Sequence, residues 1–137
     1  MSASMRAALL GWWKFTSFHV ELEHTGECVD IYGVDPLGGL VITDDRMMSF
    51  ITSRERADKD AAALVETMMA YPGSYDIEDE ERLVIKVDAA WDPAWVGSEQ
   101  VRFFNVDGDT LAITTAWQTH RKFPGRTVRG VLTGQRA

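Results

Sequence analysis

The sequence predicts an all-β fold: one antiparallel barrel of about eight strands with one internal helix, the whole of residues 1–137 forming a single domain. Three observations predict it. Most of the chain falls into short segments in which polar and apolar residues alternate, the mark of half-buried strands. Successive segments are joined by turns rich in Gly, Asp and Glu, the connectivity of a meander. A strand-like segment also stands near each end of the chain, and pairing the two would close the sheet and remove its exposed edges.

Residues 1–9 read as a loose start followed by a short helical plug, with Met5, Leu9 and Leu10 available to cover one mouth of the barrel. The stretch Gly11–Leu22, GWWKFTSFHVEL, is the central strand. Strict alternation puts Trp13, Phe15, Ser17, His19 and Glu21 on its inner face and Trp12, Lys14, Thr16, Phe18, Val20 and Leu22 on the other. Leu40–Thr43 and Met47–Thr52 flank Asp44–Arg46 as a hairpin, whose second arm is expected to send Met48 and Phe50 inward. Ala61, Leu64, Val65, Met68 and Met69 keep a helical spacing, with Asp58 as a cap and Pro72–Gly73 as the stop.

Ser74–Ile77 and Arg82–Asp88 form the next pair, around the acidic turn Glu78–Glu81. The loop Trp91–Trp95 supplies a hydrophobic rim. Ser98–Val106 and Thr110–Trp117 flank the turn DGD, with Gln100, Arg102 and Phe104 on one face of the first arm and Leu111, Ile113 and Thr115 on one face of the second. After a basic loop over residues 118–126, Thr127–Gln135 closes the sheet with Val128, Gly130 and Leu132 inward.

Composition narrows the function. Fourteen Lys and Arg against 21 Asp and Glu give a net charge of -7, which opposes binding to nucleic acid or to an anionic membrane. Arg121, Lys122, Arg126 and Arg129 accordingly read as charged surface. The single Cys28 cannot make an internal disulfide, and no segment is apolar enough over its length to span a bilayer, so a cytoplasmic protein is expected. Trp12 and Phe18, on the outer face, give a preference for a homodimer.

No His-x-His, CxxC or HExxH pattern offers a metal site, and the spacing of His19, His24 and His120 gives no reason for them to meet. The glycines near Gly38 lack both phosphate-binding patterns, and no serine has a nucleophile-elbow context, so neither metal nor cofactor is expected. What remains is a polar set, His19, Glu21, Gln100 and Arg102 with Tyr75 and Thr115, over a floor of Trp13, Phe15, Ser17, Met48, Phe50 and Phe104. Histidine exchanges a proton near neutral pH, and an arginine can hold a carboxylate or stabilise an enolate-like oxygen.

Several motifs, taken together, carry a family resemblance: GWWKFTSF at Gly11–Phe18, YGVDPLGGL at Tyr32–Leu40, MS at Met48–Ser49, YPGSYDI at Tyr71–Ile77, PAWVGSEQVRFF at Pro93–Phe104, DGDTLAITT at Asp107–Thr115 and the final VLTGQR. The chain resembles, over nearly its whole length, the compact intracellular lipocalin-like domains of bacteria and fungi. The resemblance implies a small barrel around a central cavity that binds a small apolar or aromatic organic molecule. It implies as the alternative a cyclase or isomerase that works without a cofactor on a natural-product-like substrate, for which side-chain chemistry, and not the resemblance, makes His19 and Arg102 the candidate catalytic pair. No catalytic motif carries over, because the family often has a carboxylate where this chain has His19, and histidines near Ile85–Lys86.

Overall fold

The computed structural model describes residues 2–120 and 122–137, so Arg121, one of the four basic residues read as surface, lies outside the described residues. Helix α1 (Ser2–Leu9) leads into β1 (Gly11–Leu22), followed by β2 (Cys28–Val29), β3 (Leu37–Ile42) and β4 (Arg46–Thr52). Helix α2 (Ala61–Val65) precedes β5 (Met68–Ile77) and β6 (Arg82–Val87). A 3-10 turn (Pro93–Trp95), β7 (Glu99–Asp107), β8 (Thr110–Thr115), β9 (Gln118–Thr119) and β10 (Thr127–Arg136) complete the chain.

Neighbouring strands run β1-β3-β4-β5-β6-β7-β8-β10, and β10 returns to β1, so the sheet closes as an antiparallel barrel of eight long strands. The two-residue strands β2 and β9 extend the sheet beside β1 and β10. Among the described residues closure leaves no long edge open to another chain, as the pairing of the first and last long strands required. Among the described residues no helix is long and apolar enough to cross a membrane.

One end of the barrel is sealed by α1. Trp13, fully buried, donates its indole N–H to the Leu9 carbonyl at 2.8 Å. Arg136 reaches across from β10 and donates to the carbonyls of Leu10 at 2.7 Å and Ala8 at 2.8 Å, with its guanidinium 4.1 Å from the Trp13 ring centroid. Carbonyls at the C-terminal end of a helix lack intrahelical partners, and these two side chains supply three of them. The helical plug is therefore fastened by polar bonds as well as by Leu9.

Three local expectations are corrected. The internal helix ends at Val65, because Met68 and Met69 are drawn into β5 by pairing with Thr52 and Ile51. Its cap is Asp60, which accepts the Ala63 N–H at 2.8 Å; Asp58 does not fill that role. Pro72 and Gly73 lie within β5 and do not end an element. Pro72 is tolerated because its carbonyl points past the end of β6, accepting from Asp88, so its missing N–H falls where the ladder stops. Gly73 is required by crowding, since a Cβ there would sit 2.2 Å from the Lys86 carbonyl oxygen.

The decisive irregularity is in β1. Its pairing with β10 slips between Phe15 and Ser17, a β-bulge that places one extra residue in the strand. An extra residue reverses the faces beyond it. Trp13 and Phe15 point inward before the bulge; Phe18, Val20 and Leu22 pack inside after it.

Candidate functional site

The barrel encloses a cavity of about 280 Å³ that reaches from Leu9 of α1 to a mouth at the other end. Its wall is mostly aliphatic and aromatic, from Phe15 and Phe18 on β1, Leu40 and Ile42 on β3, and Leu83, Ile113 and Leu132 farther round. The rim is built from Glu66 at the C-cap of α2, the start of β5, Asp92 and Trp95 at the 3-10 turn, the loop at Ile31–Tyr32, Gln118–His120 and Lys122. Lys122 crosses this mouth, donating to the Glu66 carbonyl at 3.1 Å and lying 5.8 Å from the Tyr32 ring centroid.

Arg102 is the polar centre of the cavity. Only 5 % exposed, it comes inward from β7 between Gln100 and Phe104 by ordinary strand alternation. Its guanidinium donates to the Val101 carbonyl at 2.9 Å and to the Tyr71 hydroxyl at 3.3 Å. It lies 5.8 Å from the Tyr71 ring centroid and 5.6 Å from that of Trp95, two rings that meet each other at 5.2 Å. Among the described residues no carboxylate forms an ion pair with it: Glu66 pairs with Lys122, and Asp92 caps the 3-10 turn. A guanidinium has five donors and stays charged at any working pH, so two neutral acceptors leave both charge and hydrogen-bonding capacity unmatched.

Gln100 and Thr115 also line the cavity. The Gln100 amide donates to Ser98 Oγ at 2.9 Å, which fixes its orientation. The Thr115 hydroxyl donates to the Ala116 carbonyl and accepts from Gly130 N–H, both at 2.9 Å, so it is occupied by the barrel itself.

The structure thus gathers Phe15, Gln100, Arg102 and Thr115 of the expected set around one space, and separates the rest from it. Ser17, His19 and Glu21 do not line the cavity, because the bulge puts them on the outer face: Ser17 bonds to Thr133, and Glu21 is held by Arg129 at 3.2 Å. Phe18, expected outside, is for the same reason a wall residue. In β4 the expected face is likewise reversed. Met47, Ser49 and Ile51 look inward, whereas Met48 is 45 % exposed and Phe50 stacks on Trp12 at 5.6 Å outside.

Trp13 and Phe104 are interior but belong to the packed core rather than to the cavity wall. Tyr75 also lies off the cavity, its hydroxyl donating to the Thr43 carbonyl at 2.7 Å near α1. Burial raises the Tyr75 pKa above 10.0, with Arg6 opposing that shift. Trp117 is 38 % exposed and packs under the Arg129 guanidinium.

Sequence reasoning missed Tyr71 and Trp95, the partners of Arg102. Tyr71 falls in the segment read as helix end, and Trp95 in a loop read only as rim. The aromatic spacing around Pro72 and Pro93 is a signal of bulk, without a direction.

A family model described as "Lipocalin-like domain" matches residues 10–137. No curated protein matches the chain.

Proposed function

Since the chain belongs to the lipocalin-like domain family, we propose that its barrel binds a small, largely apolar organic molecule whose oxygen-bearing group is an anion held by Arg102. The observation that carries this reading is a guanidinium 5 % exposed, bordering an apolar cavity, with no carboxylate paired to it among the described residues. Burying a cation costs several kcal/mol unless a partner compensates it. A carboxylate, phenolate or enolate arriving from solvent supplies that compensation and can take two N–H groups at once. The apolar wall contributes about 25 cal/mol for each Å² of ligand surface removed from water.

At about 280 Å³ the cavity stands near the lower end of ligand pockets, which run from roughly 300 Å³ upward. That suits one or two rings, or a short chain bearing one acidic group. The aromatic pair Tyr71 and Trp95 favours a flat or unsaturated segment next to that group. We assign the protein to the cytoplasm, where its lone exposed Cys28 stays reduced. On the outside, Trp12, Val41 and Met48 form one exposed apolar row across β1, β3 and β4, the surface on which a second copy of the chain would pack. Sedimentation over a range of concentrations tests that assembly, and a monomer throughout rejects it.

The cyclase or isomerase alternative keeps Arg102 and loses His19, which stands on the far side of β1 from the cavity. Binding is therefore the better supported reading. Native mass spectrometry of the protein after exposure to cell extract, followed by a ligand-bound structure, tests it. The expected ligand carries one acid group against Arg102 and is released unchanged. A neutral ligand, or one seated away from Arg102, overturns the reading; conversion to an isomer or new ring system revives the enzyme.

A further inference from the structure

The bulge that removes His19 and Glu21 from the interior brings them to a third residue outside. The two stand in alternate positions on β1, and Cys28 on β2 is the direct cross-strand partner of Glu21. One ligand atom from each of the three, an imidazole nitrogen, a carboxylate oxygen and the Cys28 sulfur, lies within 4.8 Å of the others. His19 and Glu21 are half-buried and Cys28 is exposed, so the group is open on one side.

We propose that His19, Glu21 and Cys28 form a binding site for a transition metal ion of the zinc type, on the outer wall of the barrel. The donor set selects the ion: thiolate and imidazole favour zinc and its first-row neighbours over calcium or magnesium, which take oxygen ligands. With zinc–sulfur bonds of about 2.3 Å and zinc–nitrogen and zinc–oxygen bonds of about 2.0–2.2 Å, tetrahedral ligands stand roughly 3.3–3.7 Å apart. The present spread of up to 4.8 Å closes by about 1 Å, a movement within reach of three side chains and a two-residue strand.

Arg129 completes the surroundings. It donates to both Glu21 oxygens, at 3.2 and 3.4 Å, and is itself held over the Trp117 ring at 4.4 Å. With one Glu21 oxygen on the ion and the other on Arg129, the guanidinium orients the ligating carboxylate, as outer hydrogen bonds do at metal sites. Binding takes the proton from the Cys28 thiol and releases it to solvent, one for each ion bound. Three protein ligands leave a fourth position open to water or to a donor from another molecule. Val20, between His19 and Glu21 in sequence, faces the cavity, so the two sites share one strand and no side chain.

The test uses the full chain, freed of metal with a chelator and titrated with Co²⁺ and Zn²⁺, with Ca²⁺ as the control. One Co²⁺ should bind per chain and give the near-ultraviolet thiolate-to-cobalt band together with intense visible bands of a tetrahedral ion. Cys28→Ser should abolish the thiolate band, and both Cys28→Ser and His19→Ala should weaken Zn²⁺ binding at least about tenfold, the loss that even outer-shell changes cause. His24→Ala should leave affinity unchanged. Far-UV circular dichroism of each variant reports whether the barrel is intact, and Glu21→Gln supplies a second ligand change should one variant misfold. Absence of Zn²⁺ binding, cobalt bound without the thiolate band, affinity indifferent to Cys28→Ser, or affinity that follows His24 in place of His19 would each overturn the proposal.

Discussion

Replacing Arg102 with methionine separates a ligand-facing charge from a structural one. The substitution keeps an unbranched stem and deletes the guanidinium, so steric change is small. It removes two charge-assisted hydrogen bonds, to Val101 and Tyr71, each contributing about 1.5–3 kcal/mol. It also removes two ring contacts at 5.6 and 5.8 Å, each worth about 0.5–2 kcal/mol. Against these stands the several kcal/mol spent on holding an unpaired cation out of water.

The terms oppose one another, and the folding free energy should fall by less than about 3 kcal/mol. Binding has no such offset. Opposite charges at about 4 Å attract by roughly 4 kcal/mol at an effective dielectric constant of 20. Allowing for the anion's own desolvation, about 3 kcal/mol is lost, a fall in affinity of roughly 100-fold. Urea unfolding with an unchanged m-value measures the first quantity. Calorimetric titration with an aromatic monocarboxylate, and in parallel with its neutral amide, measures the second. The wild type should prefer the acid, and Arg102→Met should lose that preference. A variant destabilised by more than about 3 kcal/mol that still prefers the acid would show the guanidinium to be a structural strut, and the reasoning would fail.

Three other perturbations report on the frame around the site. Arg136→Ala strips two carbonyls of α1 of their donors and should lower stability by about 3 kcal/mol, read as a fall in melting temperature, with Arg136→Lys recovering less than half because an ammonium cannot span both acceptors. Gly73→Ala forces a methyl group against the Lys86 carbonyl and should cost about 2–3 kcal/mol in the urea midpoint. For Tyr75, the neutral phenol is the buried form, so its folded pKa lies above the unfolded value of 10.0 and the unfolded chain gives up its proton first. Stability should therefore be undiminished by this group below pH 10 and fall as pH rises through the folded pKa, and Tyr75→Phe should flatten that part of a stability-against-pH curve.

The strands were legible wherever one face of a segment was clearly more polar than the other. The Arg82–Val87 and Thr127–Arg136 strands and the hairpin through Gly108, whose φ of 60° suits a turn with glycine at its first central position, follow from alternation and turn chemistry. Arg102 was found because β7 alternates without interruption. His19 was misplaced because strict alternation was carried across a bulge. The apolar residues themselves change parity there, from Trp13 and Phe15 to Phe18, Val20 and Leu22, and that change of phase was the available signal. Met48 and Phe50 were misplaced for a different reason: both faces of β4 are apolar, so composition has no preference. The hairpin pairing would have decided it, since Leu40 opposite Ser49 and Ile42 opposite Met47 must share faces. Helical spacing around Met68 and Met69 was real but short, and strand pairing overrode it.

The seam between β1 and β10 sets how the barrel is reached as well as what it looks like. Trp13 pairs with Arg136 and Leu22 with Val128, so the bonds that complete the wall join residues separated by more than a hundred positions. Every other long-strand pair joins consecutive long strands of a meander and can form with a modest loss of chain entropy, whereas the seam waits on the largest loop in the molecule. Folding of this kind is slow for its size, because contacts distant in sequence reward the chain only after the entropy is spent. Until the seam forms, the carbonyls at the end of α1 lack the N–H donors of Arg136 and the cavity lacks the wall made by Val128, Gly130 and Leu132. The plug and the pocket therefore share one late event, and an unzipped seam would release both together.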